Sequence, residues 1–191
     1  SGGLGQSRED RRAVMGADRF GSLEGRTILY TGAAGGLGLE TTVEMLRSGA
    51  KVIAIDNNPV KVGALQAAAA GIGGLTVSML DLSDLAGFKA GLESLSAEVG
   101  GFDVVINNAA IYPSKPFEAY TIEEMQLVQR VNVDAGIVAV QVALPHMKAA
   151  GRGRIINISS VTISGGWSDL TPYVQSKMAL VGLTRSWARE F

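Results

Sequence analysis

Two residues near the end of the chain have the types and spacing needed to move a proton. Tyr173 and Lys177 stand four positions apart in the stretch YVQSK, so a helix would place both side chains on one face. A phenol with an ordinary pKa of about 10 is a poor proton shuttle at neutral pH. A neighbouring ammonium favours the phenolate, which would let Tyr173 give a proton to a carbonyl oxygen or take one from an alcohol. The pair predicts acid–base chemistry, but such spacing also arises by chance and needs support from its surroundings.

Two further polar side chains could take part in the same chemistry. Ser160 directly follows the apolar run 154–159, at the end of a predicted parallel strand, where ligands bind in open α/β sheets. Its hydroxyl could donate a hydrogen bond to a substrate oxygen as negative charge develops there. Ser159 is the competing candidate for this role. Asn132 lies in a predicted helix, with a surface or buried structural amide as the alternative reading.

The stretch TGAAGGLGLE, residues 31–40, places three glycines where an apolar strand gives way to an amphipathic helix. In such a strand–turn–helix, one glycine permits the tight turn, another lets the backbone approach a pyrophosphate, and a third lets the helix pack on the strand. The helix N-terminus then offers unpaired N–H groups and a partial positive charge to phosphates. Gly32, Gly36 and Gly38 therefore predict dinucleotide binding, with a glycine-rich connector of no chemical meaning as the alternative.

An acidic residue at the end of the next predicted strand indicates which dinucleotide is bound. Asp56 closes the run 51–56 and lies 18 positions beyond Gly38. A carboxylate there can accept hydrogen bonds from the adenosine ribose hydroxyls. It would repel a 2′-phosphate, because two like charges about 4 Å apart cost about 4 kcal/mol at an effective dielectric of about 20. No Lys or Arg occupies the loop positions that could compensate for this phosphate, which are Ala33, Ala34, Gly35, Asn57 and Asn58. The sequence thus predicts NAD(H) over NADP(H), with a simple turn-capping role for Asp56 as the alternative.

The elements that would position these residues alternate along the chain from residue 23 onward. The strand candidates are 27–31, 51–56, 75–80, 102–107 and 154–159, and the helix candidates are 36–48, 59–70, 83–99, 122–149 and 172–191. The strands are mostly continuous apolar runs, typical of a parallel sheet that is buried on both faces. The alternation predicts one α/β domain, residues 23–191, with a doubly wound Rossmann fold and a parallel sheet. Residues 1–22 lack periodicity and are predicted to form a flexible tail.

Composition argues against several other classes of protein. The chain has 191 residues and a formal net charge of -1, with no long Lys/Arg block, so nucleic acid and anionic membrane surfaces are not predicted partners. It has no cysteine and a single histidine, His146, so no metal site is predicted, and His146 is expected at the surface near a helix end. No apolar run approaches the roughly 20 residues of a membrane span, and no secretory signal pattern is visible. A cytoplasmic location is the default expectation.

The glycine stretch, residues 31–38, resembles the TGxxxGxG cofactor loop of the short-chain dehydrogenase/reductase family. The segment Asn107-Asn108-Ala109-Ala110 is similar to that family's NNAG motif, with Ala110 in place of the usual glycine. The resemblance implies a catalytic set of Asn132, Ser160, Tyr173 and Lys177, and an adenine contact at Asp81-Leu82. Together with the residue arguments above, the predicted cofactor-binding residues are Gly32, Gly36, Leu37, Gly38, Asp56, Asp81, Leu82, Asn108, Ala109, Tyr173 and Lys177.

The resemblance also implies individual roles. Lys177 would hold the nicotinamide ribose, and Asn132 would hold a water that connects Lys177 to solvent and completes a proton relay. The segment 111–117, with two prolines and two aromatic residues, and Trp167 are candidates for the border of the substrate site.

These inferences predict an NAD(H)-dependent oxidoreductase that interconverts a secondary alcohol and a ketone of small molecular size, with Tyr173 as proton donor or acceptor. One alternative is a 3-oxoacyl-carrier-protein reductase, although Asp56 argues against it where such reductases use NADPH. Another is a binding module that keeps the cofactor loop without turnover.

Two expectations concern assembly and completeness. Helices 122–149 and 172–191 are apolar on nearly all sides, so we expect a homo-oligomer, a dimer or tetramer, formed through them. The chain ends on a helix where Rossmann order would place a sixth strand beside 154–159. We therefore expect the C-terminal strands of the domain to be missing, which would leave an exposed sheet edge.

Overall fold

Strands and helices alternate along residues 21–191, the part of the chain that the computed structural model describes. The strands are β1 (Thr27–Thr31), β2 (Lys51–Ile55), β3 (Leu75–Ser78), β4 (Val104–Asn107) and β5 (Arg154–Asn157). The helices are α1 (Gly36–Arg47), α2 (Pro59–Ala68), α3 (Leu85–Val99), α4 (Ile122–Gln129), α5 (Ala135–Ala149), α6 (Thr162–Gly165) and α7 (Thr171–Glu190). A 3-10 turn, Phe117–Ala119, precedes α4, and a π-helical turn, Arg130–Asp134, joins α4 to α5. Residues 1–20 of the predicted tail lie outside the described residues.

The strands form a five-stranded parallel sheet in the order β3-β2-β1-β4-β5. β1 lies at its centre, where Ile28 pairs with Val52 of β2 on one side and with Val104 of β4 on the other. The chain moves outward from β1 to β3 and then returns to β4, so the strand order reverses between β1 and β4. Ligands of open α/β sheets bind outside the carboxyl ends of the strands at such a reversal. The predicted doubly wound Rossmann fold is confirmed.

The side chains of β1 enter two apolar layers, because successive residues of a strand point to opposite faces of the sheet. Ile28 packs on one face with Val43 of α1 and Leu65 of α2. Leu29 packs on the other face with Phe88 of α3 and with residues of α5. The sheet is therefore covered by helices on both sides, which explains why its strands read as continuous apolar runs.

Four strands are shorter than the sequence predicted. β2 ends at Ile55, the partner of Thr31, and not at residue 56. β3 ends at Ser78, the partner of Ile55, and β5 ends at Asn157, the partner of Asn107. β4 begins at Val104 rather than at residue 102. Residues just beyond the carboxyl ends of β2, β3 and β5 leave the sheet and form loops at its carboxyl edge, where the predicted site lies.

The predicted helix 122–149 is not one continuous α-helix, since the π-helical turn interrupts it. By length and composition the stretch Ile122–Ala149 could cross a membrane. In the fold, α5 contacts β4 and α3, and its buried residues include Ala135, Ala139, Val140, Ala143 and Met147. Packing against the sheet and α3 accounts for the apolar character of these buried residues.

His146 lies in the last turn of α5, as expected for a residue near a helix end. Its side chain is 33% exposed, and Nε2 lies 4.0 Å from Oδ1 of Asp103. The other oxygen of Asp103, Oδ2, accepts a hydrogen bond from the N–H of Thr27 at 2.9 Å. This contact lies at the amino end of β1 and β4, at the opposite edge of the sheet from the predicted site.

Candidate active site

A cleft of about 780 Å³ opens at the carboxyl ends of β1, β2 and β4. This volume is within the range of roughly 300 to 1,000 Å³ that is usual for ligand sites. All the predicted cofactor-binding residues line it: Gly32, Gly36, Leu37, Gly38, Asp56, Asp81, Leu82, Asn108, Ala109, Tyr173 and Lys177. Of the predicted catalytic residues, Tyr173 and Lys177 lie on its wall, whereas Asn132 and Ser160 do not.

The three glycines of the first loop have different geometries. Gly32 adopts φ +67, in the left-handed region, and a Cβ there would lie 2.8 Å from Cα of Ala109. A Cβ on Gly38 would overlap the carbonyl oxygen of Gly32, so α1 can pack this closely on the loop only with glycine at that position. A Cβ on Gly36 would meet no atom within 4 Å. Gly36 therefore faces open cleft space and is the glycine placed for close approach of a ligand.

The loop is held by the segment that follows β4. Nδ2 of Asn108 donates to the carbonyl oxygens of Thr31 and Gly32, each at 3.1 Å. Oγ1 of Thr31 accepts from the N–H groups of Asn108 and Ala109, each at 3.2 Å. α1 begins after Gly35 without a side-chain cap, so its first N–H groups face the cleft without such a partner. The residues present therefore fit a dinucleotide whose phosphates lie at this helix N-terminus.

Asp56 combines the two roles that the sequence left open. Its Oδ2 accepts a hydrogen bond from the N–H of Ala34, and its Oδ1 accepts one from the N–H of Asn58, each at 3.1 Å. The carboxylate thus fastens the glycine loop and caps the turn after β2. It also lines the cleft, and each oxygen keeps a lone pair that a ribose hydroxyl could use.

Lys61 is a cleft residue that the sequence analysis missed. It lies in the first turn of α2, where the side chain of Asn58 accepts a hydrogen bond from the N–H of Lys61 at 3.1 Å. This turn brings Lys61 to the wall of the same cleft as Asp56. An available signal was the helix start Asn-Pro-Val-Lys, which follows Asp56 almost directly. The positive charge of Lys61 bears on the choice between NAD(H) and NADP(H).

The predicted adenine contact lies in a fixed turn after β3. Hydrogen bonds from Ser83 hold the pKa of the Asp81 carboxyl below its usual value. The larger effect comes from the backbone N–H of Ser83 and the smaller one from its hydroxyl. Both groups donate to Oδ1 of Asp81 at 2.8 Å. Leu82 is buried in the core on the face of α3 and α5. The turn therefore presents a charged carboxylate to the cleft.

The predicted proton-transfer pair lies on α7. Lys177 is 2% exposed, and its Nζ donates to the carbonyl oxygen of Ile158, just after β5, at 2.8 Å. The same Nζ lies 5.6 Å from the centre of the Tyr173 ring. Burial lowers the pKa of Lys177 to about 8, because desolvation disfavours the charged form. The cation beside Tyr173 thus titrates close to neutral pH.

The two candidate serines are placed differently. Ser159 lines the cleft, but its Oγ donates to the carbonyl oxygen of Lys177 at 2.9 Å. Oγ of Ser160 accepts from the N–H of Thr162 at 3.2 Å and from its hydroxyl at 3.0 Å. These two bonds do not use the hydroxyl proton of Ser160, whereas the proton of Ser159 is engaged.

Asn132 lies behind the cleft wall, in the π-helical turn, and is 3% exposed. Its Oδ1 accepts from the N–H of Ile111 at 2.8 Å, and its Nδ2 donates to the carbonyl oxygen of Ile111 at 3.0 Å. Nδ2 also donates to Oγ of Ser176 at 2.9 Å. Both amide protons of Asn132 are therefore used within the protein, and one lone pair of Oδ1 is left for a water.

The segment 111–117 contributes one aromatic side chain to the cleft. Tyr112 lies on the wall, and its ring meets that of Tyr173 edge-on, with centroids 5.9 Å apart and an interplanar angle of 65°. The segment is tied to α4, because Nζ of Lys115 pairs with the carboxylate of Glu124 at 2.6 Å. Trp167, the other candidate for the substrate border, is 64% exposed and does not line the cleft.

Comparison with known proteins identifies the family. The short chain dehydrogenase family model matches residues 26–191. The chain belongs to the short-chain dehydrogenase family. The 3-oxoacyl-[acyl-carrier-protein] reductase FabG of Thermotoga maritima is 33% identical over 169 residues, which cover 88% of this chain and 69% of the relative. A 3-alpha-(or 20-beta)-hydroxysteroid dehydrogenase of Mycobacterium tuberculosis is 34% identical over 173 residues, which cover 89% of this chain and 65% of the relative. A crystal structure of a metagenomic short-chain oxidoreductase in complex with NADP matches with a TM-score of 0.82 and 30% identity, over 88% of this chain and 76% of that one.

The chain spans about two thirds of the length of the two curated relatives. Family membership makes it a short-chain dehydrogenase with a nicotinamide dinucleotide as cofactor. The names of the two relatives refer to different substrates, a 3-oxoacyl-[acyl-carrier-protein] and hydroxysteroids. The resemblance inferred from the motifs is thereby confirmed at the level of the family.

Proposed function

We propose that the protein is an NAD(H)-dependent oxidoreductase that interconverts a secondary alcohol and a ketone of a small-molecule substrate. The observation that carries this proposal is that Tyr173 and Lys177 line the same cleft as the glycine loop and Asp56. Hydride exchange at a carbonyl carbon needs a proton donor beside the cofactor, and the cleft combines the two requirements. The nicotinamide dinucleotide would supply or accept the hydride when bound.

Tyr173 moves the proton in this proposal. In the direction of reduction its phenol gives a proton to the substrate oxygen, and in the direction of oxidation the phenolate takes one from the alcohol. The ammonium of Lys177 lies 5.6 Å from the centre of the Tyr173 ring, beside the proton-transfer group. We assign to Ser160, which does not line the cleft in this structure, a hydrogen bond to the same substrate oxygen, made with the proton that its contacts to Thr162 do not use.

The proton relay of the proposal begins at Lys177 and includes Asn132. In this relay, a water that connects Lys177 to solvent would donate a hydrogen bond to the remaining lone pair of Asn132 Oδ1. In the cofactor, the phosphates lie against Gly36 and the start of α1, and the adenosine ribose lies against Asp56. These assignments are supported by the open space at Gly36 and by the position of Asp56 on the cleft wall.

NADP(H) is the competing cofactor, and Lys61 is the observation that favours it. The ammonium of Lys61 could pair with a 2′-phosphate, and a similar structure contains NADP. We favour NAD(H), because the carboxylate of Asp56 is fixed by two hydrogen bonds at the same end of the cleft, whereas Lys61 is an exposed and flexible side chain.

The test of the proposed function is turnover by the full chain with NAD+ or NADP+. The substrates are a panel of polyols, sugars, hydroxyacyl thioesters and steroids. Turnover is measured from the absorbance of the reduced cofactor, NADH or NADPH. We expect activity with NAD+ and at least one alcohol. We also expect Tyr173→Phe to reduce kcat by a factor of about 100 or more, while the dissociation constant for NADH stays within about twofold, because the variant loses only the proton donor. Near-normal turnover by Tyr173→Phe would contradict the assignment.

The same panel separates the alternatives. A 3-oxoacyl-carrier-protein reductase is the second candidate, since one relative with 33% identity carries that name. It would be supported by preference for the acyl thioester together with NADPH. A chain that binds NADH tightly but turns over no substrate would support the binding-module alternative.

We further propose that the working protein is a homo-oligomer, a dimer or tetramer, formed through helices 122–149 and 172–191. Large apolar side chains on these helices are exposed in the single chain: Ile122 is 63% and Met178 is 49% exposed. Their cover by a second subunit would remove this apolar area from water. The cytoplasmic location rests on the sequence alone and stays a prediction.

A further inference from the structure

Ser176 is a buried residue with two hydrogen bonds that the assigned roles leave unexplained. It lies on α7 between Tyr173 and Lys177 and is 1% exposed. Its Oγ donates to the carbonyl oxygen of Tyr173 at 2.7 Å. A bond of this kind, to the carbonyl three residues earlier, is common for serine in helices and indicates nothing by itself. The second bond is different, because Oγ also accepts from Nδ2 of Asn132 at 2.9 Å, from a residue 44 positions away.

The bond from Asn132 continues toward the cleft. The Asn132 side chain forms hydrogen bonds with both backbone groups of Ile111. It accepts from the N–H at 2.8 Å and donates to the carbonyl oxygen at 3.0 Å. The next residue, Tyr112, places its ring edge-on against the ring of Tyr173, with centroids 5.9 Å apart. A ring of contacts therefore starts at the backbone of Tyr173, passes through Ser176, Asn132 and Ile111, and returns through Tyr112 to the Tyr173 side chain.

We propose that Ser176 is a positioning residue for the proton-transfer tyrosine: its hydroxyl ties Asn132 to the helix that carries Tyr173 and so closes this ring of contacts. The inference rests on the proposed function, in which Tyr173 moves the proton. Ser176 touches neither substrate nor cofactor in this assignment and acts through Asn132 and Tyr173.

Removal of the Ser176 hydroxyl breaks the ring of contacts at both bonds of Ser176, the one from Asn132 and the one to the carbonyl oxygen of Tyr173. One buried amide proton of Asn132 then has no partner, and an unpaired buried donor is unfavourable. Rotation of the Asn132 side chain toward another acceptor would weaken its bond to the N–H of Ile111. The loop that carries Tyr112 would then hold the Tyr173 ring less firmly. The glycine loop and Asp56 are held by separate bonds, so dinucleotide binding is not expected to change.

The experiment compares Ser176→Ala and Ser176→Cys with Ser186→Ala in the full chain. Ser186 lies on the same helix and is exposed, so its variant controls for the loss of a serine from α7. Cysteine keeps the shape of serine but is a weak hydrogen-bonding group. Because misplacement of a reacting group by about 1 Å can cost about 100-fold in rate, we expect kcat to fall by about 10- to 100-fold in both Ser176 variants. The dissociation constant for NADH should stay within about twofold, and Ser186→Ala should match the wild type.

A second readout does not depend on turnover. Amide hydrogen exchange, measured by NMR, reports the Ile111 N–H that Asn132 holds. We expect this exchange to be faster by a factor of about 10 in the Ser176 variants, while the amides of β1 exchange as in the wild type. Unchanged kcat and unchanged Ile111 exchange in either folded Ser176 variant would overturn the proposal. Uniformly faster exchange throughout the sheet would do so as well, since it would show a loss of global stability.

The two readouts keep this inference distinct from the proposed function. A wild-type chain that turns over no substrate would contradict the proposed function. Exchange of the Ile111 N–H would still decide whether Ser176 holds the ring of contacts together. An active wild type whose kcat is insensitive to both Ser176 substitutions would contradict the positioning role alone. In an Asn132→Ala background, we expect Ser176→Ala to have no further effect on kcat, because the link is already broken.

Discussion

Replacing Lys177 with methionine tests how strongly burial opposes its charge. Lys177 is 2% exposed, and its pKa falls from the ordinary 10.5 to about 8. Each pH unit of such a difference corresponds to about 1.36 kcal/mol. The protonated form of Lys177 is therefore less favourable in the folded protein by about 3 kcal/mol than in the unfolded chain.

The direction of the pH effect follows from which state holds the proton. Well below pH 8, the folded and unfolded chains both hold it, and the folded protein carries the full penalty. Between about pH 8 and pH 10.5 only the unfolded chain holds it, so the stability of the wild type rises with pH. Above pH 10.5 both states are neutral and the penalty is absent. Lys177→Met has no such proton and lacks this rise.

We expect urea denaturation of the wild type and Lys177→Met, carried out from about pH 7 to about pH 10, to show the wild type gaining about 2 to 3 kcal/mol relative to the variant. Near pH 7 the variant should be at least as stable as the wild type, since leaving the Ile158 carbonyl unpaired costs only about 1 to 3 kcal/mol. Lys89→Met is the control, because the Lys89 side chain is 54% exposed on α3. A wild-type-minus-variant difference that stays constant across this range would refute the argument that the charge of Lys177 is desolvated.

Three further predictions concern the cofactor loop, cofactor choice and assembly. Gly38→Ala should lower the Tm, because its Cβ would overlap the carbonyl oxygen of Gly32. Gly36→Ala should keep the wild-type Tm and weaken NADH binding by about tenfold, because its Cβ meets no protein atom but enters the cleft. Equal effects of the two substitutions on Tm would contradict these geometries. Asp56→Ala should raise the NADP+ to NAD+ ratio of kcat/KM by more than about tenfold, and Lys61→Ala should lower it; an unchanged ratio would show that neither residue selects the cofactor. Light scattering of the full chain at micromolar concentration should detect a dimer or tetramer, and monomer alone would contradict the proposed assembly.

The cofactor half of the cleft could be predicted because its contacts are local or follow directly from the fold. Gly32, Gly36 and Gly38 mark the first strand–turn–helix, whose geometry is set by a few consecutive residues. Asp56 ends the next strand, and adjacent parallel strands must bring their carboxyl ends together. Lys61 could not be placed from the loop sequence alone, because it lies in the first turn of α2, and the fold turns that part of the helix toward the cleft.

For the catalytic half of the cleft, the sequence predicted which residues take part but not the contacts that hold them. The 3.6-residue periodicity of 122–149 carries no signal for the π-helical turn at Asn132, because one extra residue in a turn hardly alters an apolar pattern. The partner of Asn132, Ile111, lies 21 positions away in a loop. The depressed pKa of Lys177 arises from burial and not from sequence spacing. Such features depend on how separate segments pack, which no single stretch of sequence specifies.

The two halves of the cleft are held by different kinds of contact, and this difference predicts how each responds to substitution. The glycine loop is fixed mainly through its backbone: the side chains of Asn108 and Asp56 bond to its carbonyl and N–H groups. Side-chain changes within the loop should therefore matter chiefly where a new Cβ enters occupied space. The catalytic half depends on a bond between two side chains, Asn132 and Ser176, so the loss of one hydroxyl there can be transmitted to Tyr173. We therefore expect Ser176 variants to lose turnover without losing dinucleotide binding, and Gly36 variants to lose binding without losing the fold.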